Sequence, residues 1–315
     1  MKVLILSEAG REAGFGHLTR CLALKGAFEK NSARVDLVVN ANEMGDSLLW
    51  GQQYRCFDWW NNRKETLKKV NDFDAVVIDS YIADAEFYRS CSQILGKRTF
   101  AIDDYRCIDY PKCTVINPSI CGDESDYGSS DKVEHILGKD YIILREEFWN
   151  VPQKQINPNP SKVLITLGGH NKQDLLSDLE DLIRNKFGCE CVAVRPAAKR
   201  YTALEMRQAM LDVDLCISAG GQTTYELARC GVPTIGVCLA DNQVQNLEGW
   251  QREGFLDYAG WFSDDDLFAK IEAAFRMLIP QSERIKRSQI GRKCVDGRGS
   301  SRIVEKIMSL KEVNK

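Results

Sequence analysis

The chain has 315 residues, of which 44% are hydrophobic and 28% charged, with a formal net charge of -3. A chain of this length usually forms two domains, each with its own core. The charge lacks the basic excess of nucleic-acid-binding proteins, and no apolar run approaches the roughly 18 residues of a membrane-spanning helix. We therefore exclude a nucleic-acid partner and a membrane span, and a small anionic ligand stays open.

The cysteines are scattered along the chain without a CxxC pair, and several lie in apolar runs, as buried thiols do. This pattern predicts reduced, structural cysteines in a cytoplasmic protein instead of disulfides or a zinc site. The first residues, MKVLILSEAG, contain an apolar run that is too short for the core of a signal peptide. That run predicts a first β-strand and agrees with a cytoplasmic location.

The first predicted elements are a strand, a glycine-containing loop and a helix. Residues 2–6 (KVLIL) are typical of a buried parallel strand, and the loop after it carries Gly10, Gly14 and Gly16. This order opens an α/β nucleotide-type fold, whose ligand lies at the carboxyl end of the strand and against helix amides. The glycine spacing matches neither GxGxxG nor a Walker loop, so the motif is weak evidence for phosphate binding.

His17 lies at the expected start of the first helix. The positive end of the helix dipole favours a neutral imidazole there, which would be available as a base near neutral pH. A capping or surface histidine is the other interpretation. The residues by themselves leave both interpretations open.

Strand and helix patterns alternate through the rest of the first half, with strands at 35–39 and 74–81 and helices near 43–51 and 62–70. Ser80 and Tyr81, just past the second of these strands, are expected at the same edge of the sheet as the glycine loop, where open parallel sheets bind ligands. Tyr81 either orients a substrate or caps the core with its ring.

Another strand with a carboxylate end, RTFAIDDY at 98–105, carries Asp103 and Asp104. Two carboxylates can bind a metal ion, but with no companion histidine or third carboxylate nearby the pattern favours a solvated turn. An irregular, polar stretch follows at 107–140, and the segment 141–149 closes the first half.

The segment 151–161 contains three prolines and no periodic apolar pattern, which is typical of an interdomain linker. We place the boundary there, with an N-terminal domain at 1–150 and a C-terminal domain at 161–296. The second half begins like the first, with an apolar strand followed by Gly168, Gly169 and His170. Two similar α/β domains that face each other predict a ligand in the cleft between them.

Residues 216–246 combine a buried strand, a glycine turn that opens a helix, a second strand and a polar loop. Gly220 and Gly221 end the first strand, and the helix turn after them offers unpaired amides that can hold a diphosphate. Glu226 can reach a ribose, although an acid in the first turn of a helix also simply complements the dipole.

These segments together resemble a known family. GFGHLTRCLAL, VVIDSY, YIILREEFW, LITLGGHN and SAGGQTTYELARCGVP with LADNQVQN resemble PseG, the UDP-sugar hydrolase family of pseudaminic acid biosynthesis, and the related SpsG-like proteins. The resemblance covers nearly the whole chain in the same order. The second half is more distantly similar to MurG-type glycosyltransferases. The resemblance implies a GT-B architecture of two Rossmann-like domains, with the nucleotide held mainly by the C-terminal one.

The resemblance also implies roles for individual residues. His17 corresponds to the histidine that activates or orients the attacking water, and Tyr81 and Asn242 correspond to residues near the sugar. The implied UDP-binding residues are Gly168, Gly169, Gly220, Gly221, Gln222, Thr223, Thr224 and Glu226. The implied substrate-binding residues are Gly14, Gly16, Arg20, Ser80, His170, Asp241, Gln243 and Asn246. We expect no cofactor and no metal, because helix amides already neutralise the charge of the leaving group.

The expected activity is hydrolysis of a UDP-linked acetamido or diacetamido deoxy sugar to UDP and free sugar. The alternatives are a GT-B glycosyltransferase with another acceptor and a non-catalytic protein that binds UDP-sugars. Ser80 replaces the family's usual histidine, and His170 also departs from the usual pattern, so the sugar or the acceptor is expected to differ. We expect a monomer, with a C-terminal helix within 297–315 that packs on the N-terminal domain.

Overall fold

The structure of the protein, a computed structural model, describes residues 1–10, 16–41, 54–124, 127, 134–168, 172–195 and 201–310. The chain divides into two compact units. The first unit comprises Met1–Glu146 together with Arg298–Lys315, and the second comprises Glu147–Gly297.

Strands and helices alternate in both units. The strands are β1 (Lys2–Ala9), β2 (Arg34–Ala41), β3 (Arg55–Cys56), β4 (Ala75–Asp79), β5 (Thr99–Ile102), β6 (Thr114–Asn117), β7 (Glu134–Leu137), β8 (Lys162–Thr166), β9 (Glu190–Ala193), β10 (Leu215–Ala219), β11 (Thr234–Cys238) and β12 (Leu256–Trp261). The α-helices are α1 (Gly16–Lys30), α2 (Arg63–Val70), α3 (Ala85–Leu95), α4 (Gln173–Phe187), α5 (Ala203–Asp212), α6 (Thr223–Cys230), α7 (Val244–Glu253), α8 (Leu267–Met277), α9 (Gln281–Cys294) and α10 (Gly299–Ser309). The helix predicted near 43–51 lies outside the described residues.

The first unit is built on a parallel sheet with the strand order β3-β2-β1-β4-β5-β6-β7. The central strand β1 is buried along almost its whole length, which is why its sequence is a nearly continuous apolar run instead of an alternating one. The chain reverses its direction of travel across the sheet between β1 and β4. Such a switch point opens a crevice at the carboxyl ends of the two strands.

The second unit has a smaller parallel sheet with the order β12-β11-β10-β8-β9. Its switch point lies between β8 and β10, and the Gly220–Gly221 turn begins directly after β10. Side chains of the sheet such as Ile165, Ile217 and Ile235 form one core with the apolar faces of α4 and α8. The predicted fold class, two parallel-sheet α/β domains, is confirmed.

The proline-containing segment 151–161, predicted as an interdomain linker, lies within the second unit. It forms neither helix nor strand, but its backbone is bound to the second unit by side chains from that unit. Arg292 donates to the carbonyls of Val151 and Pro152, and Arg284 donates to the carbonyl of Pro158. Proline has no backbone N–H, so a segment with several prolines offers few amide donors to carbonyl groups. Here arginine side chains donate to the carbonyls instead. The boundary between the two units lies between Glu146 and Glu147, before this segment.

The last helix, α10, belongs to the first unit and packs against α1. Its apolar face, Ile303, Val304 and Ile307, is fully buried. On its polar side Arg302 donates from Nη1 to the carbonyl of Asp140, over 3.0 Å. The N-terminal unit is thus completed by residues from the far end of the chain.

All twelve cysteines have free thiols, and most of them are buried. This agrees with the predicted structural role of the cysteines. Across the part of the chain that the structure describes, we find no helix with the length and apolar composition that a membrane crossing requires.

Candidate active site

A cluster of polar side chains lies at the carboxyl ends of three neighbouring strands of the first sheet. Glu8 is near the end of β1, Asp79 ends β4, and Asp104 follows β5 by two residues. Helix α1 adds His17 and Arg20, which are three residues apart and so share one face of the helix. Parallel strands bring their carboxyl ends to one edge, which is how residues distant in sequence meet here.

His17 and Asp79 form a buried pair. Nδ1 of His17 lies 2.5 Å from Oδ1 of Asp79, and Asp79 is fully buried. Burial by itself would raise the pKa of the Asp79 carboxyl, but the charge of Arg20 and the hydrogen bonds from Arg20 and His17 outweigh burial and hold this pKa well below its ordinary value. The ionised carboxylate only accepts hydrogen bonds, so Nδ1 carries a proton and donates it. Nε2 then keeps its lone pair in the neutral ring, and no described residue hydrogen-bonds to it.

Arg20 connects two carboxylates. Its Nε and Nη2 donate to the two oxygens of Asp79 over 2.5 and 2.6 Å, and its Nη1 donates to Oδ1 of Asp104 over 2.6 Å. Burial lowers the pKa of the guanidinium, but Asp104 and Asp79 raise it well above its ordinary value, so Arg20 stays charged. The planar fork of arginine suits this bidentate geometry.

Tyr81 lies beside His17 and hydrogen-bonds to Asp104. Its hydroxyl donates to Oδ2 of Asp104 over 3.0 Å, and its ring meets the imidazole edge-on, with 4.3 Å between centroids and 84° between planes. Burial and the Asp104 charge raise the pKa of Tyr81 well above its ordinary value, so the phenol stays neutral. The side chain is still 38% exposed. Tyr105 packs against it at a centroid distance of 5.7 Å.

Ser80 has a different place from the one expected of a substrate-binding residue. Its hydroxyl donates to Oε2 of Glu8 over 3.1 Å and accepts from the amides of Ile82 and Ala83. These three bonds use the whole capacity of a hydroxyl group. The other oxygen of Glu8 accepts from the amide of Tyr81 over 2.7 Å. Ser80 and Glu8 therefore fix the loop that carries Tyr81.

Asp103 and Asp104 do not form the solvated turn that was predicted. Asp103 is fully buried and accepts from the amides of Arg106 and Cys107 and from the hydroxyl of Tyr127. Asp104 is committed to Arg20 and Tyr81, as described above. Within the described ranges, no group of three or more histidine, cysteine or acidic side chains has an arrangement that would hold a metal ion.

A second polar cluster surrounds the turn after β10 in the other unit. The amide oxygen of Gln243 accepts from the backbone amides of Gly220 and Leu239 over 3.2 and 3.1 Å. A Cβ added at Gly220 would lie 2.6 Å from a carbon of Leu247, whereas one added at Gly221 would meet nothing within 4 Å. Gly220 is therefore required by packing, and Gly221 faces open space at the N-terminus of α6.

Thr224 and Asn246 form an internal network beneath this turn. The Thr224 hydroxyl donates to the carbonyl of Gly221 and accepts from Nδ2 of Asn246 and Nε1 of Trp250. Asn246 also donates to the carbonyl of Gly220 over 2.7 Å. Thr224 is fully buried, so its side chain holds the turn together and its hydroxyl has no capacity left for a ligand.

The other expected ligand-binding residues of the second unit differ in exposure. Asp241 and Asn242 are exposed, and Gln222 and Thr223 are partly exposed. Glu226 is buried, with 3% of its surface exposed. Gly168 follows β8 with a positive φ of 67°, a conformation that glycine adopts without strain.

Three expected site residues, Gly14, Gly169 and His170, lie outside the described residues. The first unit brings the remaining N-terminal site residues together. Helix α1 carries Gly16, His17 and Arg20, and the loop after β4 carries Ser80 and Tyr81, whose ring contacts His17. The sequence reasoning did not select Asp79, Asp104 and Glu8 as site residues. Asp79 and Asp104 could have been selected, because each is an acidic residue at the end of an apolar strand segment in the sequence.

Comparison with known proteins gives relatives by sequence and by structure. No protein-family model matches the chain. An uncharacterised protein of Methanocaldococcus jannaschii is 24% identical over 299 residues, which cover 82% of this chain and 58% of the relative. A Helicobacter pylori protein named pseudaminic acid cytidylyltransferase and UDP-2,4-diacetamido-2,4,6-trideoxy-beta-L-altropyranose hydrolase is 25% identical over 271 residues, which cover 81% of this chain and 48% of the relative. The chain spans about half the length of these curated relatives.

Solved structures similar to this chain include MurG of Acinetobacter baumannii, with a TM-score of 0.70 and 14% identity over 98% of this chain and 100% of MurG. The UDP-GlcNAc 2-epimerase of Neisseria meningitidis bound to UDP-GlcNAc has a TM-score of 0.64 and 15% identity over 98% of this chain and 100% of the epimerase. The fold is of the GT-B class. At these identities the structural similarity establishes the fold alone.

Proposed function

We propose that the protein hydrolyses a UDP-linked acetamido deoxy sugar to UDP and the free sugar. The observation that carries the proposal is the His17–Asp79 pair, which leaves Nε2 of His17 as an available base. In the reaction, a water oxygen bonds to the anomeric carbon while the bond from that carbon to the diphosphate oxygen breaks. Nε2 takes the proton of the water, and the diphosphate leaves with the electron pair. A positioned general base contributes about 10² to 10⁴ in rate.

The substrate class rests on the Helicobacter pylori relative, whose name includes hydrolysis of a UDP-linked diacetamido trideoxy sugar. That name also includes a cytidylyltransferase activity, and this chain matches about half of the protein. We assign the hydrolase activity to the matching half because similar folds occur in an enzyme solved with UDP-GlcNAc bound and in MurG.

We assign UDP binding to the second unit. The amides of Gly221 and Thr223 at the start of α6 have no acceptor among the described residues, and unpaired amides at a helix N-terminus favour a diphosphate. Glu226 is the proposed ribose ligand, and the exposed Asn242 is a proposed sugar contact. We assign Thr224, Gln243 and Asn246 to holding the turn, on the hydrogen bonds described above.

The test is incubation of the purified protein with a panel of 2-acetamido and 2,4-diacetamido UDP-sugars, followed by assay of UDP release and NMR of the sugar. His17→Leu should abolish turnover and retain UDP binding. His135→Leu is the matched control, because His135 is an exposed histidine of the same unit and should change neither. Loss of UDP binding in His17→Leu would contradict the assignment of His17 as the base.

A glycosyltransferase is the second candidate, and the similarity to MurG over 98% of the chain favours it. Both activities need the same nucleotide site and differ in the acceptor. Free sugar released without an added acceptor supports the hydrolase. UDP release that requires an added alcohol or amine supports the transferase. NMR of the product also detects inversion at C2 of the sugar, which would instead indicate an epimerase and contradict both candidates.

A further inference from the structure

Five side chains at the first cluster form a closed ring of contacts. Oδ1 of Asp79 accepts from Nδ1 of His17, and both oxygens of Asp79 accept from Arg20. Arg20 reaches Asp104 with its remaining terminal nitrogen. Asp104 accepts from the hydroxyl of Tyr81, and the ring of Tyr81 returns to the imidazole of His17. The imidazole is therefore held at Nδ1 by a carboxylate and from another side by an aromatic ring.

Asp104 is the link of this ring that does not contact His17. Its backbone carbonyl accepts from Nδ2 of Asn117 over 3.2 Å, and the buried side chain of its neighbour Asp103 fixes the two amides of Arg106 and Cys107. The backbone that follows Asp104 is thus anchored. The carboxylate is 28% exposed, and its two oxygens hold Arg20 and Tyr81.

The titratable groups around His17 come from several elements. Asp79 ends β4, Arg20 and the thiol of Cys21 lie on α1, and Tyr81 follows β4. Glu8 of β1 binds the backbone amide of Tyr81. Within this group Arg20 is the cation that balances both Asp79 and Asp104. Without the Asp104 charge, Asp79 would be the one anionic partner of Arg20 in this group, and the shared carboxylate would be drawn toward Arg20 and away from Nδ1 of His17.

We propose that Asp104 is a positioning residue for the hydrolysis proposed above. It holds Tyr81 against the imidazole of His17, and it shares Arg20 with Asp79 so that Asp79 supports the base. Asp104 acts through Arg20 and Tyr81, not by contact with the substrate. The effects on kcat that we expect rest on the proposed function. The effect on the surroundings of His17 is also expected in the protein without substrate.

The kinetic test compares Asp104→Asn with Asp109→Asn. Asp109 is a control because it is an exposed acid of the same loop that pairs with Arg106. Asp104→Asn should lower kcat by about 10- to 100-fold, which raises the activation free energy by about 1.4 to 2.8 kcal/mol. KM should change by less than about threefold. Asp109→Asn should match the unsubstituted protein in both respects.

Tyr81→Phe tests the other side of Asp104, because it removes the hydrogen bond and keeps the charge. It should lower kcat and leave KM nearly unchanged. In the double variant the two losses should not multiply, since both substitutions weaken the same Tyr81–Asp104 hydrogen bond: Tyr81→Phe removes its donor and Asp104→Asn removes the charge of its acceptor. Losses that multiply, or a kcat of Asp104→Asn equal to that of Asp109→Asn, would overturn the proposal.

A substrate-free measurement separates this inference from the proposed function. The chain has three histidines, so NMR spectra of the imidazole resonances, assigned with His17→Leu, report the surroundings of His17 directly. The His17 resonances should shift in Asp104→Asn and stay in place in Asp109→Asn. Resonances that do not shift overturn the inference even if UDP-sugars are hydrolysed. Shifted resonances in a protein that hydrolyses no UDP-sugar support the positioning of His17 by Asp104 and contradict the proposed function. Equal melting temperatures of the variants show that both are folded.

Discussion

Oδ1 of Asp79 lies 2.5 Å from Nδ1 of His17, and the same oxygen accepts from Nη2 of Arg20 over 2.6 Å. One carboxylate oxygen thus orients both the imidazole and the guanidinium. Because the carboxylate is ionised, the imidazole tautomer is decided by the fold and not by the ligand.

Replacement of Asp79 by Asn should lower turnover by about 10² to 10⁴-fold, because an amide that donates to Nδ1 favours the tautomer with its proton on Nε2. UDP binding, measured by calorimetry, should stay within about threefold of the original, a difference of less than about 1 kcal/mol. Activity close to that of the unsubstituted protein would show that the tautomer is not important for the reaction.

Acid stability should depend on Asp79. Although burial would raise the pKa of this carboxyl, Arg20 and His17 hold it below the ordinary value of about 3.9. A depressed pKa in the folded state adds stability that is fully present above the unfolded pKa and is lost as the pH falls through the folded pKa. The free energy of unfolding, from urea titrations between about pH 5 and pH 2.5, should therefore fall more steeply for the unsubstituted protein than for Asp79→Asn. Parallel curves would contradict this prediction.

Gly220→Ala should lower stability, whereas Gly221→Ala should lower UDP affinity. A Cβ at Gly220 overlaps Leu247 and lies 2.9 Å from Cβ of Gln243, which should cost about 1 to 3 kcal/mol of stability. Gly221→Ala meets no neighbour, so the melting temperature should not fall. If the diphosphate lies against this turn, the added methyl group should weaken UDP binding by about tenfold, or about 1.4 kcal/mol. Unchanged UDP affinity in Gly221→Ala would place the diphosphate elsewhere.

Thr224→Val should destabilise the second unit by about 1 to 3 kcal/mol, because Trp250 then has a buried indole N–H without its acceptor. Thr223→Val is the matched control for stability. Thr223 is partly exposed, and its side chain makes no hydrogen bond to the residues that the structure describes, so its substitution should cost less than about 0.5 kcal/mol. Urea unfolding of both variants gives the comparison, and equal stability would show that the Thr224 network contributes little.

The sequence predicts the α/β class because its strands are continuous apolar runs, and such runs indicate strands that are buried on both faces of a parallel sheet. It also predicts that Tyr81 lies at the ligand edge, since that edge follows from strand order and not from side-chain detail. Gly220 and Gly221 look alike in the sequence. Only the position of Leu247 shows that one is required by packing and the other is not.

Contacts between distant segments are the part that the sequence does not predict. Arg20 is 59 residues from Asp79 and 84 from Asp104, and no local pattern indicates that one guanidinium joins them. Gln243 belongs to a loop of polar residues, which favoured a ligand-facing role. At the start of α7 the side-chain oxygen of Gln243 instead accepts from the backbone amides of Gly220 and Leu239. A buried backbone N–H needs such an acceptor.

The position of α10 has a consequence for the order of folding. This helix covers α1 with the buried side chains of Ile303, Val304 and Ile307, but the whole second unit lies between the two helices in the chain. Synthesis proceeds from the N-terminus, so residues 147–297 are made before α10. The apolar surface of α1 that α10 covers is therefore exposed to solvent during that time. Closing so long a loop is slow. The unit that carries His17 therefore begins to form first during synthesis and is completed last.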